Sequence, residues 1–222
     1  MLGNSLLYWY VKTPGLLDIV FPSRCAVCES AGPNLCGACQ PVLTPNPHRF
    51  ERGPVSGLAA TNYSLEVSKL LVAFKDKGQF ALVRELGELM SPLVRELTIL
   101  SETVYLVPAP SRARNYSRRG FTPSVLLARA IANQVPHARV MNALLSGEKV
   151  MDQVGLSAPE RTQNLTGSMR LNQVVANKVC FIVDDVVTTG ATVIECWRVL
   201  TAGGAMVLGA LAVSESRTDK SQ

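Results

Sequence analysis

The stretch Cys180-Phe181-Ile182-Val183-Asp184-Asp185-Val186-Val187-Thr188-Thr189-Gly190-Ala191-Thr192 decides how the rest of the chain is read. The apolar run from Val179 to Val183 is short, branched and uninterrupted, the pattern of a parallel strand covered on both faces. Asp184 and Asp185 follow where that strand is expected to end. Thr188 to Thr192 then supply hydroxyls, small side chains and one glycine able to take positive φ. Beyond them Val193, Cys196, Trp197 and Leu200 recur at helical spacing, and Gly203-Gly204 stop the helix. A strand, a tight loop and a helix N-terminus in that order form an anion site, because loop amides and first-turn N–H groups lack intrahelical partners. The helix dipole contributes only about 0.3–2 kcal/mol, so threonine hydroxyls and further cations are needed. Ionised carboxylates only accept hydrogen bonds, so Asp184 and Asp185 suit ribose hydroxyls or a hydrated Mg2+ rather than the phosphate. Together these residues describe a site for a phosphorylated ribose, at the strand end where open α/β sheets bind ligands.

The chain has 222 residues, 47% hydrophobic and 18% charged, room for one sizeable domain and a small appendage. No apolar run reaches about 18 residues, so no membrane span is expected. Residues 1–21 read as an apolar arm without a basic leader or cleavage site, and the expected location is cytoplasmic. A net charge of +5 suits phosphate-bearing ligands or nucleic acid and selects neither.

Four of the six cysteines lie in two knuckles, Cys25-Ala-Val-Cys28 and Cys36-Gly-Ala-Cys39, seven residues apart. Two C-x-x-C pairs complete a tetrahedral Zn2+ site. Disulfides fit an exported protein better, a redox C-x-x-C comes singly beside a βαβ unit, and an iron–sulfur cluster is the other metal option.

Residues 40–62, with Pro41, Pro45, Pro47, Gly53, Pro54 and Gly57, read as a linker, and His48 as a solvated loop histidine. Val67, Leu70, Leu71 and Phe74 form a helical stripe ended by Lys75-Asp76-Lys77-Gly78. Leu82, Leu86, Leu89 and Leu93 mark a second helix, which Pro92 is expected to bend or restart. Val104 to Val107 form a buried strand ending in Pro108-Ala109-Pro110. The basic segment Ser111 to Gly120 reads as a flexible loop whose arginine forks match pyrophosphate oxygens, or as a solvated charge run. Thr122-Pro123 starts a helix, Ala138 to Met141 a short strand, and Ala205 to Val213 the last strand before a polar tail. Residues 151–167 form a polar loop in which Arg161 and Gln163 are plausible substrate contacts.

The 180–192 stretch resembles, without a gap, the phosphoribosyl-pyrophosphate (PRPP) motif of type I phosphoribosyltransferases. With the knuckles, Phe74-Lys75-Asp76-Lys77-Gly78, Val107-Pro108-Ala109-Pro110, Arg118-Arg119-Gly120-Phe121, Gln153-Val154-Gly155-Leu156-Ser157 and Glu160-Arg161, the whole order is similar to the ComF family. These are competence-associated proteins with a type I phosphoribosyltransferase domain. Ala109 and Thr122-Pro123 depart from the family pattern, away from the phosphate loop.

The resemblance implies a parallel-sheet α/β fold over residues 61–222, behind an arm, zinc ribbon and linker over 1–60. It also implies transfer of ribose 5-phosphate from PRPP with Mg2+ to a nitrogenous acceptor, releasing pyrophosphate. Asp184 and Asp185 would hold the ribose. Thr188, Thr189, Gly190, Ala191 and Thr192 would hold the 5-phosphate, and Pro108, Ala109, Pro110, Arg118 and Arg119 would lie by the pyrophosphate. No residue stands out as a general base. The alternative is a non-catalytic module for PRPP, a nucleotide or single-stranded DNA, with a competence helicase as a further partner.

Overall fold

A computed structural model of the chain describes residues 23–97, 103–111, 113–147 and 167–216. Its strands are β1 His48–Arg52, β2 Val55–Asn62, β3 Val104–Pro108, β4 Ala138–Val140, β5 Leu144–Ser146, β6 Met169–Leu171, β7 Val179–Val187 and β8 Met206–Glu215. The helices are α1 Leu65–Asp76, α2 Val83–Leu97, α3 Ala113–Arg119, α4 Pro123–Ala132 and α5 Ala191–Ala202. Six strands form one sheet in the order β1-β2-β8-β7-β3-β4, and β5 pairs with β6 apart from it. Only the β1–β2 contact in the large sheet is antiparallel. This is the expected α/β class.

The uninterrupted apolar run of β7 follows from its place inside the sheet. Successive side chains of a strand point to opposite faces. Phe181 and Val183 enter one core, with Leu70, Phe74, Leu86, Met90, Leu127 and Ile131 of the covering helices. Cys180 and Ile182 enter a second core, with Val107, Ala143, Val193, Cys196 and Leu200. Both faces are covered, so no polar alternation survives. Each such side chain contributes roughly 1.5–3 kcal/mol by burial.

The helices form where their stripes predict. Val67, Leu70, Leu71 and Phe74 of α1 are all buried, and the Ser64 hydroxyl caps the helix by accepting from Val67 N at 3.2 Å. Pro92 sits exposed inside α2 without ending it.

Four readings are corrected. Residues 48–62 are not a linker: they are the β1–β2 hairpin, whose second strand pairs in parallel with β8, so the sheet begins before residue 61. His48 stands in β1, with Nε2 3.6 Å from the Glu215 carboxylate. The basic segment after β3 is helical from Ala113 to Arg119 rather than a loop. β8 continues through Ser214 and Glu215, both buried, so the polar tail starts later than expected. The 1–21 arm, Arg161 and Gln163 fall outside the described residues.

Candidate functional site

The carboxyl ends of β7, β8 and β3 form one edge, on which the PRPP-motif residues stand. β7 runs past Asp184 and Asp185 to Val187, pairing Val186 with Ser214 and Val187 with Glu215. The two carboxylates are therefore strand residues, not a loop pair, and they lie close enough to interact through their side chains. Asp185 is 8% exposed. Its Oδ2 lies 2.6 Å from Lys75 Nζ at the end of α1, and its Oδ1 accepts from Val186 N at 2.7 Å. Asp184 Oδ1 accepts from Asp185 N at 2.9 Å. Burial, and then the neighbouring Asp185 charge, push Asp184 up to about 8 against the opposing pull of Lys75.

After Val187 the chain turns through Thr188 and Thr189 into Gly190. Gly190 has φ 80° and occupies the N-cap of α5, where its carbonyl accepts from Ile194 N at 2.9 Å. A left-handed N-cap lets the turn close within three residues, and only glycine takes it without strain. Thr188 is exposed, Thr189 and Thr192 are half-buried, and Ala191 is buried. A cradle of backbone amides at a helix start can hold a phosphate or another tetrahedral anion.

The Pro108-Ala109-Pro110 stretch lies beside this edge. Pro108 pairs with Val183, Ala109 N donates to Val183 O at 2.9 Å, and the Ser124 hydroxyl donates to Ala109 O at 2.5 Å. Arg118 and Arg119 turn towards α1: Arg118 Nη2 and Arg119 Nε lie 2.8 and 2.7 Å from Asp76 Oδ1. Phe121 meets the Phe80 ring edge-on at 4.8 Å and lies 6.3 Å from Phe74. A pocket of about 160 Å3 is lined by Lys75, Asp76, Gly78, Phe80, Arg118, Arg119 and Phe121. The two sequence segments 74–78 and 118–121 thus meet, and Lys75 links their pocket to Asp185.

Three contributors escaped the sequence reading. Arg52, at the end of β1, donates from Nε to Thr188 O at 2.8 Å and pairs with Glu215. Lys75 is the cation on Asp185. Glu195 in α5 is 3% exposed and accepts from Gly167 N at 2.9 Å while pairing with Arg198 at 2.8 Å. Burial raises its carboxyl, but the Arg198 hydrogen bonds and charge outweigh that and hold it below the usual range. The spacing Glu195–Arg198 was the available sign of that last pair.

At the other end of the described chain, the sulfurs of Cys25, Cys28, Cys36 and Cys39 all lie within 4.8 Å of one another. Tight turns bring them together: Cys25 N donates to Ser30 O and Cys39 N to Cys36 O, each at 2.9 Å. A Zn–S bond of about 2.3 Å implies tetrahedral S···S edges of about 3.8 Å. Cys28 and Cys36 stand 3.7 Å apart, so this donor set fits zinc. Burial raises the Cys25 thiol, but backbone hydrogen bonds from Cys28, Cys36 and Val27 outweigh it and bring it down to about 6. Burial and the other three thiols push Cys39 up to about 12. A cation among the four sulfurs would favour their thiolate forms. Cys180 and Cys196 are buried elsewhere.

Residues 118–221 match the phosphoribosyl transferase domain model. The DNA utilization protein YhgH of Salmonella typhimurium is 31% identical over 189 residues, covering 82% of this chain and 80% of that protein. Competence protein F of Haemophilus influenzae is 29% identical over 146 residues, 63% of each chain. A hypoxanthine-guanine phosphoribosyltransferase from Bacillus anthracis superposes over 63% of this chain and 72% of its own, with TM-score 0.42 at 10% identity. No helix among the described residues is long and apolar enough to cross a membrane. Four clustered cysteines, a mostly parallel sheet ending in the phosphate-type loop, and a relative matched over four-fifths of its length lead to one assignment: the chain belongs to the ComF family and carries a phosphoribosyltransferase domain.

Proposed function

We propose that this protein binds PRPP and transfers its ribose 5-phosphate to a nitrogenous acceptor. The C1–oxygen bond to pyrophosphate breaks, pyrophosphate leaves with the bonding electrons, the acceptor nitrogen's lone pair forms an N-glycosidic bond, and the proton it gives up passes to solvent or the departing pyrophosphate. The observation carrying this reading is the left-handed Gly190 at the N-cap of α5, one turn beyond the two strand-end carboxylates.

The amides of Thr188 to Thr192, with the hydroxyls of Thr189 and Thr192, take the 5-phosphate. Asp184 and Asp185 accept from the ribose hydroxyls, Asp185 sharing its charge with Lys75. Pro108 to Pro110 flank the pyrophosphate, and Arg118 and Arg119 neutralise it on exchanging Asp76 for the ligand. The Mg2+ that accompanies PRPP supplies further charge neutralisation, and the hard carboxylate oxygens of Asp184 and Asp185 suit it. The Asp185 charge beside the ribose, joined by that of Asp184 once it is ionised, also favours its oxocarbenium-like transition state, so positioning and electrostatics carry the step. Cys25, Cys28, Cys36 and Cys39 hold a structural Zn2+ in a small unit preceding the sheet domain.

A second reading has a specific observation behind it. The acidic and basic groups of this edge already satisfy each other, Lys75 with Asp185 and Asp76 with Arg118 and Arg119. That favours a protein that binds PRPP, a nucleotide or single-stranded DNA without converting it, in keeping with relatives named for DNA utilization and competence. A helicase of DNA uptake is the protein partner of that reading, and a cytoplasmic location suits either one. Pyrophosphate release from PRPP across a panel of nucleobases separates the two: release with one base supports the transferase, and PRPP binding without release supports the binding module.

A further inference from the structure

The guanidinium of Arg52 is tied by all three of its nitrogens. Nε donates to Thr188 O at 2.8 Å, Nη1 to Glu51 O at 2.9 Å, and Nη2 to the Glu215 carboxylate. Glu215 is itself fixed: it is 7% exposed, ends β8 opposite Val187, and has His48 Nε2 3.6 Å from its other oxygen. The Arg52 stem lies directly over Gly190. A Cβ added there would stand 2.5 Å from Arg52 Cβ and Cγ, far inside contact distance. The hairpin thus reaches across 136 residues of sequence to touch the loop at two successive points, a carbonyl and a glycine.

We propose that Arg52 is a positioning residue for the Thr188–Thr192 loop. A trans peptide is planar, so its C=O and N–H point in opposite directions. By holding the Thr188 carbonyl on the hairpin side, Arg52 turns the Thr189 N–H to the opposite side, where the loop takes its anion. Glu215 keeps the guanidinium from swinging out to bind that anion directly. The arrangement needs a fork with an Nε donor and a separate Nη donor about one bond further on, which lysine lacks. It also gives Gly190 a second reason to be glycine, because the Arg52 stem occupies the space of its missing side chain. The inference rests on the loop being the phosphate site.

The test is calorimetric titration of ribose 5-phosphate into the zinc-loaded full chain as wild type, Arg52→Lys and Arg52→Ala. Each is measured well below its own melting temperature, and amide spectra of the ligand-free proteins are recorded alongside. Both variants are expected to bind about tenfold more weakly or worse. The Thr189 and Ala191 amide signals should shift while those of the cysteine knuckles stay in place. Equal weakening by lysine and alanine is the signature of positioning, since lysine keeps the charge. Wild-type affinity in Arg52→Lys, or unmoved Thr189 and Ala191 signals in either variant, would overturn the proposal. If wild type itself fails to bind ribose 5-phosphate, the reading of the loop falls first, a different result from failure of the brace alone.

Discussion

The cysteine knuckles and the phosphate-type loop are both short motifs, and they are built in opposite ways. The knuckles are held mainly from within: their backbone bonds, Cys25 to Ser30, Ala26 to Asn34 and Cys39 to Cys36, span fewer than ten residues, while Ala26 in the first core and the Gln79 Nε2 bond to Arg24 O at 3.0 Å tie them to the sheet domain. The loop is held from without, by Arg52 across 136 residues and by the register of β7 against β8. A motif of the first kind is expected to depend on a metal, and one of the second kind on the sheet. Perturbations should therefore separate them.

The largest expected effect is metal removal. Apparent free energies of zinc binding in small cysteine units are about 10–16 kcal/mol, far beyond the burial available to a segment that buries Cys25 and Ala26 fully and Val27, Leu35, Val42 and Leu43 in part. Cys28→Ser or chelation should expose residues 23–45 to protease while the sheet domain still melts cooperatively. Metal analysis and limited proteolysis check this; a zinc-free protein with a resistant N-terminal segment would contradict it.

Next comes Asp185→Ala, which removes the partner of Lys75 and an acceptor from the proposed ribose site. PRPP binding should weaken roughly tenfold to hundredfold, from about 1.5–3 kcal/mol for a hydrogen bond to a charged group. Calorimetry checks it, and unchanged affinity would remove Asp185 from the site. The knuckles should keep their zinc.

A pH effect of similar or smaller size belongs to Asp184. Its folded value of about 8 lies above the ordinary 3.8, so the folded state favours its protonated form. The stability it gives is present below pH 4 and is lost as pH rises towards 8. Denaturant melts of wild type and Asp184→Asn should therefore diverge across that window, with the asparagine variant lacking the loss. Parallel curves would contradict the shift.

The smallest effect concerns Arg119. Arg119→Ala should weaken PRPP by about 1 kcal/mol, a partly exposed charge-assisted contact, and leave ribose 5-phosphate binding unchanged, since only PRPP carries pyrophosphate. Equal losses for both ligands, read by competition titration, would move Arg119 away from the pyrophosphate.

The same contrast explains what the sequence made legible. The knuckles and the 180–192 stretch announce themselves because each compresses its chemistry into one short run. The α1 stripe from Val67 to Phe74 was equally plain, since burial on one side imposes the helical period. The hairpin was missed because it looks like a linker for good reasons. Gly53-Pro54 is its turn, and Gly57 must be small where the Phe50 ring fills the place of a Cβ. With Ala59 and Ala60 at the centre, β2 has little of the branched residue pattern that marks a strand. The helix α3 was missed because seven residues with three arginines carry no apolar period. Arg52 and Lys75 gain their roles only through pairing across the sheet edge, information that no local window contains.

The central claim is that the Thr188–Thr192 loop cradles the ribose phosphate, and Gly190→Val tests it most directly. A valine must adopt φ near 80° and place its side chain into Arg52, so the loop cannot keep its shape. Titrating ribose 5-phosphate and PRPP into wild type, Thr188→Ser and Gly190→Val should show binding of both ligands to the first two and of neither to the third. Normal binding of ribose 5-phosphate by folded Gly190→Val would contradict the account.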